Sequence, residues 1–194
     1  GQSSPFVHMT YPQAIALTSG SDYGENLYVA TRVRDSIYRI DANGSIKRFG
    51  NFPGEHPGGP VDLCFDTDGA CQGLLYIAND SRQRPDLSGV FSIDPEGNAT
   101  RFAEAIVAAY SIEMAPMGDF DKGMYVAGKV GSFDDPHSLW YVNPDGRVSE
   151  FARVRLDATG LLTFTFGPDG SMYIPEYLVD YKVVIVSRVV PRFK

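Results

Sequence analysis

The segment "LYVATRVRDSIYRIDANGSIKRF", residues 27–49, contains the pattern that decides the fold. An apolar-Tyr-apolar-Ala quartet is followed by an alternating run, the turn "DANG" and a short run that ends on phenylalanine. The same order returns in "LYIANDSRQRPDLSGVFSIDPEGNATRF" from residue 75 and in "MYVAGKVGSFDDPHSLWYVNPDGRVSEF" from residue 124, and a fourth quartet, "MYIP", begins at residue 172. The quartets therefore begin 48, 49 and 48 residues apart. A fixed period of this length indicates an array of supersecondary units.

Each repeat predicts four short antiparallel strands, which we name a to d. Strand a precedes the quartet, in "QAIAL", "VDLCF", "SIEM" and "LTFTF". The quartet forms strand b, the alternating run strand c, and the run that ends on phenylalanine strand d. Alternation with period two is typical of strands, and the glycine that ends "DANG", "DPEG" and "NPDG" supplies the positive φ of a tight turn. Four-stranded units of this length are typical of β-propeller blades.

The sequence thus predicts an all-β protein, a single β-propeller domain over residues 1–194. Its four blades have the approximate bounds 12–52, 60–105, 110–155 and 161–194. The fourth repeat lacks a strand d, and Phe6 precedes the first strand a much as Phe49 and Phe102 precede theirs. We therefore predict that residues 4–10 complete the last blade and remove an exposed sheet edge. In the alternatives, residues 4–10 are a disordered tail, or the blades belong to a larger ring that other blades or a second chain complete.

Composition narrows the function and the compartment. A net charge of −7 argues against nucleic-acid binding, and no apolar run approaches the roughly 18 residues that a membrane-spanning helix needs. Cys64 and Cys71 flank an Asp-Gly turn in "LCFDTDGAC". Their spacing suits a hairpin disulfide, which would place the chain in an oxidising compartment, secreted or periplasmic. Two unlinked thiols are the alternative.

The innermost strands place two sets of small or polar side chains beside the predicted central channel: Ala14, Asp62, Ser111 and Thr163, and Ala16, Cys64, Glu113 and Thr165. The apolar positions between them are predicted to pack between blades: Ile15, Leu63, Ile112 and Phe164. Asp62 and Glu113 are unusual, because a carboxylate in such a place is costly unless it is paired or binds a cation. Oxygen ligation of a cation or hydrogen bonds to neighbouring blades would satisfy both.

The longer loops point to one binding face. In a propeller the b–c and d–a connections share a face, and here they are longer and more varied than the c–d turns. Variable loops on a rigid scaffold are where binding usually occurs. The predicted ligand-binding face comprises Glu55, His56, Asn79, Asp80, Arg82, Arg84, Asp134, Asp135, His137, Glu176 and Tyr177. No nucleophile elbow is present, so no catalytic residue is assigned.

The pattern "FGPDGSMYIPEY", together with the pairing of "LYVA" and "IYRIDANG", resembles bacterial extracytoplasmic β-propeller repeat proteins of the NHL and gluconolactonase-like type. The resemblance covers essentially the whole chain, although these families usually have six or seven blades. It implies that an enzyme of this type would hold a divalent cation, often Ca²⁺, at the channel. The matching positions here are Asp62, Glu113 and Asn79, whereas Ala14 and Thr163 replace other ligands.

Two functions follow as hypotheses. In the first, the protein is a binding or scaffold module whose loop face recognises a small molecule, a glycan or a protein. In the second, it is a calcium-dependent hydrolase or lactonase with its metal near the central channel.

Overall fold

The computed structural model of the chain describes residues 2, 4–18, 22–32, 36–50, 59–81, 85–116, 120–153, 158–160, 163–178 and 184–190. Its strands form four antiparallel sheets. The first sheet contains β1 (Pro12–Thr18), β2 (Asn26–Thr31), β3 (Ser36–Ile40) and β4 (Ile46–Phe49). The second contains β5 (Gly59–Phe65), β6 (Leu75–Asp80), β7 (Gly89–Ile93) and β8 (Ala99–Ala103), with a 3₁₀ turn at Pro85–Leu87. The third contains β9 (Ile106–Met114), β10 (Met124–Val130), β11 (Ser138–Val142) and β12 (Val148–Arg153). The fourth contains β13 (Ala158–Gly160), β14 (Thr165–Phe166), β15 (Met172–Leu178) and β16 (Val184–Val189).

Strand order within the first three sheets follows the chain, as expected of meanders joined by tight turns. The predicted c–d turns are confirmed. The amide N–H of Gly44 donates to the carbonyl of Asp41, and Gly97 and Gly146 repeat this bond in the next two sheets, each at 2.9 Å. All three glycines have a φ between 80° and 90°, the left-handed region that an L side chain rarely adopts.

The core lies between successive sheets. Three of the four apolar positions on the innermost strands are buried as predicted, since Leu63 is 5% exposed, Ile112 1% and Phe164 2%. Each packs in a cluster with residues of the preceding sheet. The same prediction is wrong for Ile15, which is 62% exposed, because no preceding sheet covers the first one among the residues that the structure describes.

In the described residues, the strands of the fourth sheet occupy three positions. One edge of β15 pairs with β16, and β13 and β14 share the other edge, one at each end. The predicted fourth position, at residues 4–10, is not a strand in the structure, so that prediction is wrong in its secondary structure. Phe6 nevertheless lies beside Gly44 of the first sheet, as Phe102 lies beside Gly146 of the third. The N-terminal segment therefore lies against the first sheet where an outer strand of a preceding sheet would lie.

The predicted disulfide is not formed, since Cys64 and Cys71 are both free thiols. The reason lies in the strand register: Cys64 pairs across the sheet with Tyr76, whereas Cys71 lies in the β5–β6 turn. There the backbone N–H of Cys71 donates to the carboxylate of Asp66 and its carbonyl accepts from the Tyr76 hydroxyl. The described part of the chain also has no helix long and apolar enough to cross a bilayer.

Candidate functional site

Asp62, the first of the two carboxylates on inner strands, joins two sheets. Asp62 lies in β5, and its Oδ2 accepts hydrogen bonds from the Ser111 hydroxyl at 2.8 Å and from the Ile112 amide at 2.9 Å, both in β9. Its Oδ1 accepts from the amide of Leu63 at 2.9 Å. Burial raises the pKa of Asp62, and these three donors oppose that rise. The carboxylate thus has donors on both oxygens and links the second sheet to the third.

Glu113, the second of these carboxylates, repeats this arrangement one sheet further on. Oε2 of Glu113, in β9, accepts from the Phe166 amide of the fourth sheet at 3.3 Å. Burial is the largest influence on the pKa of Glu113 and raises it, while the Phe166 amide and the Thr165 hydroxyl oppose the rise. Both carboxylates therefore accept hydrogen bonds from the next sheet. This is one of the two explanations that the sequence left open.

A second polar group lies at the end of β6. Asn79 is 2% exposed and Asp80 9%, and the Nδ2 of Asn79 donates to the carbonyl of Leu87. Among the described residues, neither the buried Oδ1 of Asn79 nor the hydroxyl of Ser81 has a hydrogen-bond partner. Buried polar atoms are usually satisfied, so these two atoms are exceptions within the described part of this strand end.

A cleft of about 280 Å³ lies in the third sheet. The loop between β10 and β11 contributes Asp135, Pro136 and His137, and the strands contribute Val130, Ser138, Trp140, Glu150 and Arg153. Glu150 lies directly across the sheet from Trp140, and Arg153 lies across from Ser138. The paired strands thus bring an aromatic ring, a carboxylate and a guanidinium to the cleft. The loop adds a second carboxylate and an imidazole.

The side chains of the cleft are held in place. The indole Nε1 of Trp140 donates to the carbonyl of Gly128 at 3.2 Å. Arg153 donates through Nε to Glu150 Oε1 at 2.8 Å, and the ring of His137 lies 4.9 Å from the ring of Tyr110. Oδ2 of Asp135 accepts from the Ser132 amide at 2.9 Å, which fixes the loop. The indole and the loop are therefore preorganised, which lowers the entropic cost of binding, whereas the side chain of Arg153 is 82% exposed.

The predicted binding residues divide into three groups. Asp135 and His137 come together in the cleft, Asn79 and Asp80 lie at the end of β6, and Asp134 is exposed outside both. Glu176 and Tyr177 lie on β15, but their side chains are outside the description, as are Glu55, His56, Arg82 and Arg84 altogether. Sequence reasoning missed three residues of the cleft: Trp140, Glu150 and Arg153. The register of β11 against β12 would have placed Glu150 beside Trp140.

No family model and no curated protein matches the sequence. Solved structures do resemble the fold. A catalytically inactive virginiamycin B lyase from Staphylococcus aureus, crystallised with quinupristin, has a TM-score of 0.60 at 12% identity, over 94% of this chain and 56% of that one. A gluconolactonase from Xanthomonas campestris has a TM-score of 0.55 at 16% identity, over 86% of this chain and 59% of that one. A Bacteroides caccae protein of unknown function has a TM-score of 0.51 at 10% identity, over 92% and 60%.

The chain spans less than two thirds of the length of each of these solved chains. Identities this low show the fold and nothing finer. The comparisons therefore support one conclusion: this chain has the four-stranded, antiparallel sheets of a β-propeller type of protein, related in architecture to virginiamycin B lyase and gluconolactonase.

Proposed function

We propose that the protein is a binding module that recognises a small, hydroxyl-rich ligand such as a sugar in the cleft at Trp140. The observation that carries this proposal is the convergence of Asp135, His137 and Trp140 in one preorganised space of about 280 Å³. A volume near the lower end of the usual range for ligand pockets suits a small molecule.

The chemistry of the lining favours a ligand with both donors and acceptors. Carboxylates of Asp135 and Glu150 accept hydrogen bonds, whereas the guanidinium of Arg153 donates them. The indole ring offers a flat apolar surface for the carbon face of a ring. A neutral polyol can bond to the remaining donors and acceptors of these groups while the Arg153–Glu150 pair stays intact. A purely apolar ligand would displace water from them and offer no hydrogen bond in return.

The chain contains a single tryptophan, so intrinsic fluorescence reports directly on this cleft. The probe is a panel of neutral monosaccharides and disaccharides, titrated against the protein and checked by calorimetry. We expect a saturable change in Trp140 fluorescence with at least one sugar. In Asp135→Asn the affinity should fall by about tenfold, because a hydrogen bond to a charged group contributes roughly 1.5–3 kcal/mol.

Asp134→Asn is the matched control, since Asp134 is the neighbouring residue and is exposed outside the cleft. Its affinity should equal that of the wild type. Linear, non-saturable fluorescence with every sugar, or equal weakening in both variants, would overturn the proposal.

A second candidate function is lactone hydrolysis at the two carboxylates on the inner strands. Asp62 and Glu113 lie on inner strands of adjacent sheets, and burial raises the pKa of both carboxyls. A raised pKa suits a carboxyl for proton transfer near neutral pH. The gluconolactonase from Xanthomonas campestris has a similar fold.

The described residues give no support for calcium at Asp62. They contain no group of three or more His, Cys, Asp or Glu side chains that could hold a metal ion, and three donors already use three of the roughly four lone-pair sites of this carboxylate. The test is acid release from glucono-δ-lactone, with added calcium and with chelator. Enzymatic function predicts turnover that Glu113→Gln abolishes and that Glu104→Gln, a change at an exposed glutamate, retains. Wild-type rates equal to the uncatalysed rate would exclude this candidate.

A further inference from the structure

The cleft at Trp140 offers a ligand more hydrogen-bond acceptors than donors. The carboxylates of Asp135 and Glu150 line it beside one guanidinium, that of Arg153. A carboxylate has about four lone-pair sites, yet the described residues supply one donor to each: the Ser132 amide to Asp135 Oδ2 and Arg153 Nε to Glu150 Oε1. The other oxygen of each carboxylate is therefore available to a ligand.

The donors of the cleft are mostly used or face solvent. The indole Nε1 of Trp140 donates to the carbonyl of Gly128, and the side chain of Arg153 is 82% exposed, so water competes for its remaining N–H groups. Ser138 is only 4% exposed and lines the cleft, and no described residue forms a hydrogen bond with its hydroxyl. This hydroxyl can accept a hydrogen bond as well as donate one. The lining therefore suits a ligand that brings donors.

The charges of the cleft favour a positive ligand. Glu150 forms an ion pair with Arg153, whereas Asp135 forms none within the described part of the chain. Lys129 precedes the same loop, but its ammonium donates to the carbonyl of Phe133 and does not line the cleft. The negative charge of Asp135 is thus left without a described counter-ion.

The indole ring of Trp140 adds a second attraction for a cation. The face of an aromatic ring carries partial negative charge, and tryptophan binds a cation over its ring more strongly than the other aromatic residues do. The ring lines the same cleft as Asp135, so one positive group of a ligand can interact with both.

We propose that the ligand of this cleft is a hydroxyl-rich compound with a protonated amine, such as an amino sugar, and that Asp135 selects the amine. The inference rests on the proposed function, because it concerns the same cleft. An ammonium group has three donors and no acceptor, which matches the surplus of acceptors. Asp135 and Ser138 hold the ammonium group beside the indole ring, and Glu150 and Arg153 bond to the hydroxyl groups.

Glucose and glucosamine test the inference, because they differ only at one ring carbon, which carries a hydroxyl in one and an amine in the other. Both are titrated at about pH 7, where most of such an amine is protonated, with Trp140 fluorescence and calorimetry as readouts. We expect glucosamine to bind about tenfold more tightly than glucose. N-acetylglucosamine, whose nitrogen is uncharged, should lose this advantage, and added sodium chloride should reduce it.

Asp135→Asn removes the charge but keeps an oxygen that can accept from the Ser132 amide, so the loop should stay in place. Glucose and glucosamine should then bind this variant with affinities equal to within about twofold. Asp134→Asn is the control at the exposed neighbour outside the cleft, and it should keep the full preference for glucosamine.

The outcomes separate this inference from the proposed function. Saturable binding of glucose and glucosamine with equal affinity would overturn the inference and leave the proposed function standing, whereas no saturable binding of either sugar would overturn both. A preference for glucosamine that Asp135→Asn retains would also overturn the inference. If Asp135→Asn binds neither sugar, the wild type decides, because a preference that salt does not reduce is not selection by charge and would overturn it.

Discussion

Asp62 and Glu113 illustrate what single residues reveal about this fold. The sequence identifies them as unusual, because a carboxylate on an inner strand needs a partner. It does not identify the partners, since Ser111 and Ile112 lie 49 and 50 residues beyond Asp62 and meet it only when the sheets pack. The resemblance to calcium-binding propellers favoured a cation, whereas the structure satisfies Asp62 with donors from the next sheet.

Asp62→Asn should change how stability depends on pH. Burial raises the pKa of Asp62 in the folded state above its reference of 3.8, so the folded state binds this proton more tightly than the unfolded state. The resulting stabilisation is complete below about pH 4 and is lost as the pH rises through the folded-state value. The wild type should therefore lose unfolding free energy relative to Asp62→Asn as the pH rises above about 4.

Urea unfolding across this pH range measures the difference. Asp68→Asn, at an exposed position in the β5–β6 turn, is the control, and its curve should run parallel to that of the wild type. The difference in unfolding free energy between the wild type and Asp62→Asn could stay constant, or it could grow in favour of the wild type as the pH rises. Either result would show that the carboxylate is not desolvated as described.

The side chain of Asp66 organises the β5–β6 turn by accepting hydrogen bonds from backbone amides of that turn. It is 5% exposed, and its carboxylate accepts from the amides of Ala70 at 3.0 Å, Cys71 at 2.6 Å and Gly73 at 2.8 Å. Asp66→Ala would leave the buried amide of Cys71 unsatisfied, at about 1–3 kcal/mol, and would remove the hydrogen bonds of two less buried amides. We expect about 2–3 kcal/mol of destabilisation in denaturant unfolding, and no measurable loss in the control Asp68→Ala. A loss below about 1 kcal/mol in Asp66→Ala would contradict this role.

At the scale of elements, the repeat predicts strand positions well because each strand carries its own alternation and each c–d turn its own glycine. Prediction fails where an element depends on a distant partner. Residues 4–10 have no alternation that would make them a strand, and the hairpin disulfide assumed that Cys64 faces Cys71 rather than Tyr76. Two of the eight cleft residues, Asp135 and His137 of the loop, were predicted, and none of the strand residues was.

Gly128 of β10 lies against the backbone of β9 at Ala108. A Cβ there would collide with the carbonyl oxygen of Ala108, although its backbone φ is ordinary. Gly170 is the opposite case, with a φ of +69° and open space around it. Gly128→Ala should cost about 2–3 kcal/mol by overpacking, and Gly170→Ala about 1–2 kcal/mol by conformation.

Thermal or urea unfolding of the two variants distinguishes these causes. Gly128→Ala should also accelerate hydrogen exchange in β9 and β10, while Gly170→Ala should leave those strands unchanged. An equal or smaller effect at Gly128 would mean that the two strands separate more easily than their contact implies.

At the scale of the whole molecule, one side-by-side contact is used three times, and the equivalent position of the first sheet, Ile15, is exposed. The sequence predicts the repeated contact through Leu63, Ile112 and Phe164. It did not predict that Ile15 would remain open, because the same residue type at the same position gives no information on whether a neighbour is present. The number of sheets in a ring depends on their relative rotation, which no local pattern specifies.

Thiol reactivity at these equivalent inner-strand positions tests this central claim most directly. Cysteine is placed at position 15, 63 or 112, and labelling is followed under native conditions over a range of protein concentrations. Burial raises the pKa of the native Cys71 to about 11 and that of Cys64 well above its usual value, so background labelling is slow. We predict slow labelling at 63 and 112 at every concentration, and faster labelling at 15 in dilute protein, because Ile15 is exposed and the other two positions are buried. Equal rates at 15 and 63 in dilute protein, or fast labelling at 112, would contradict the account.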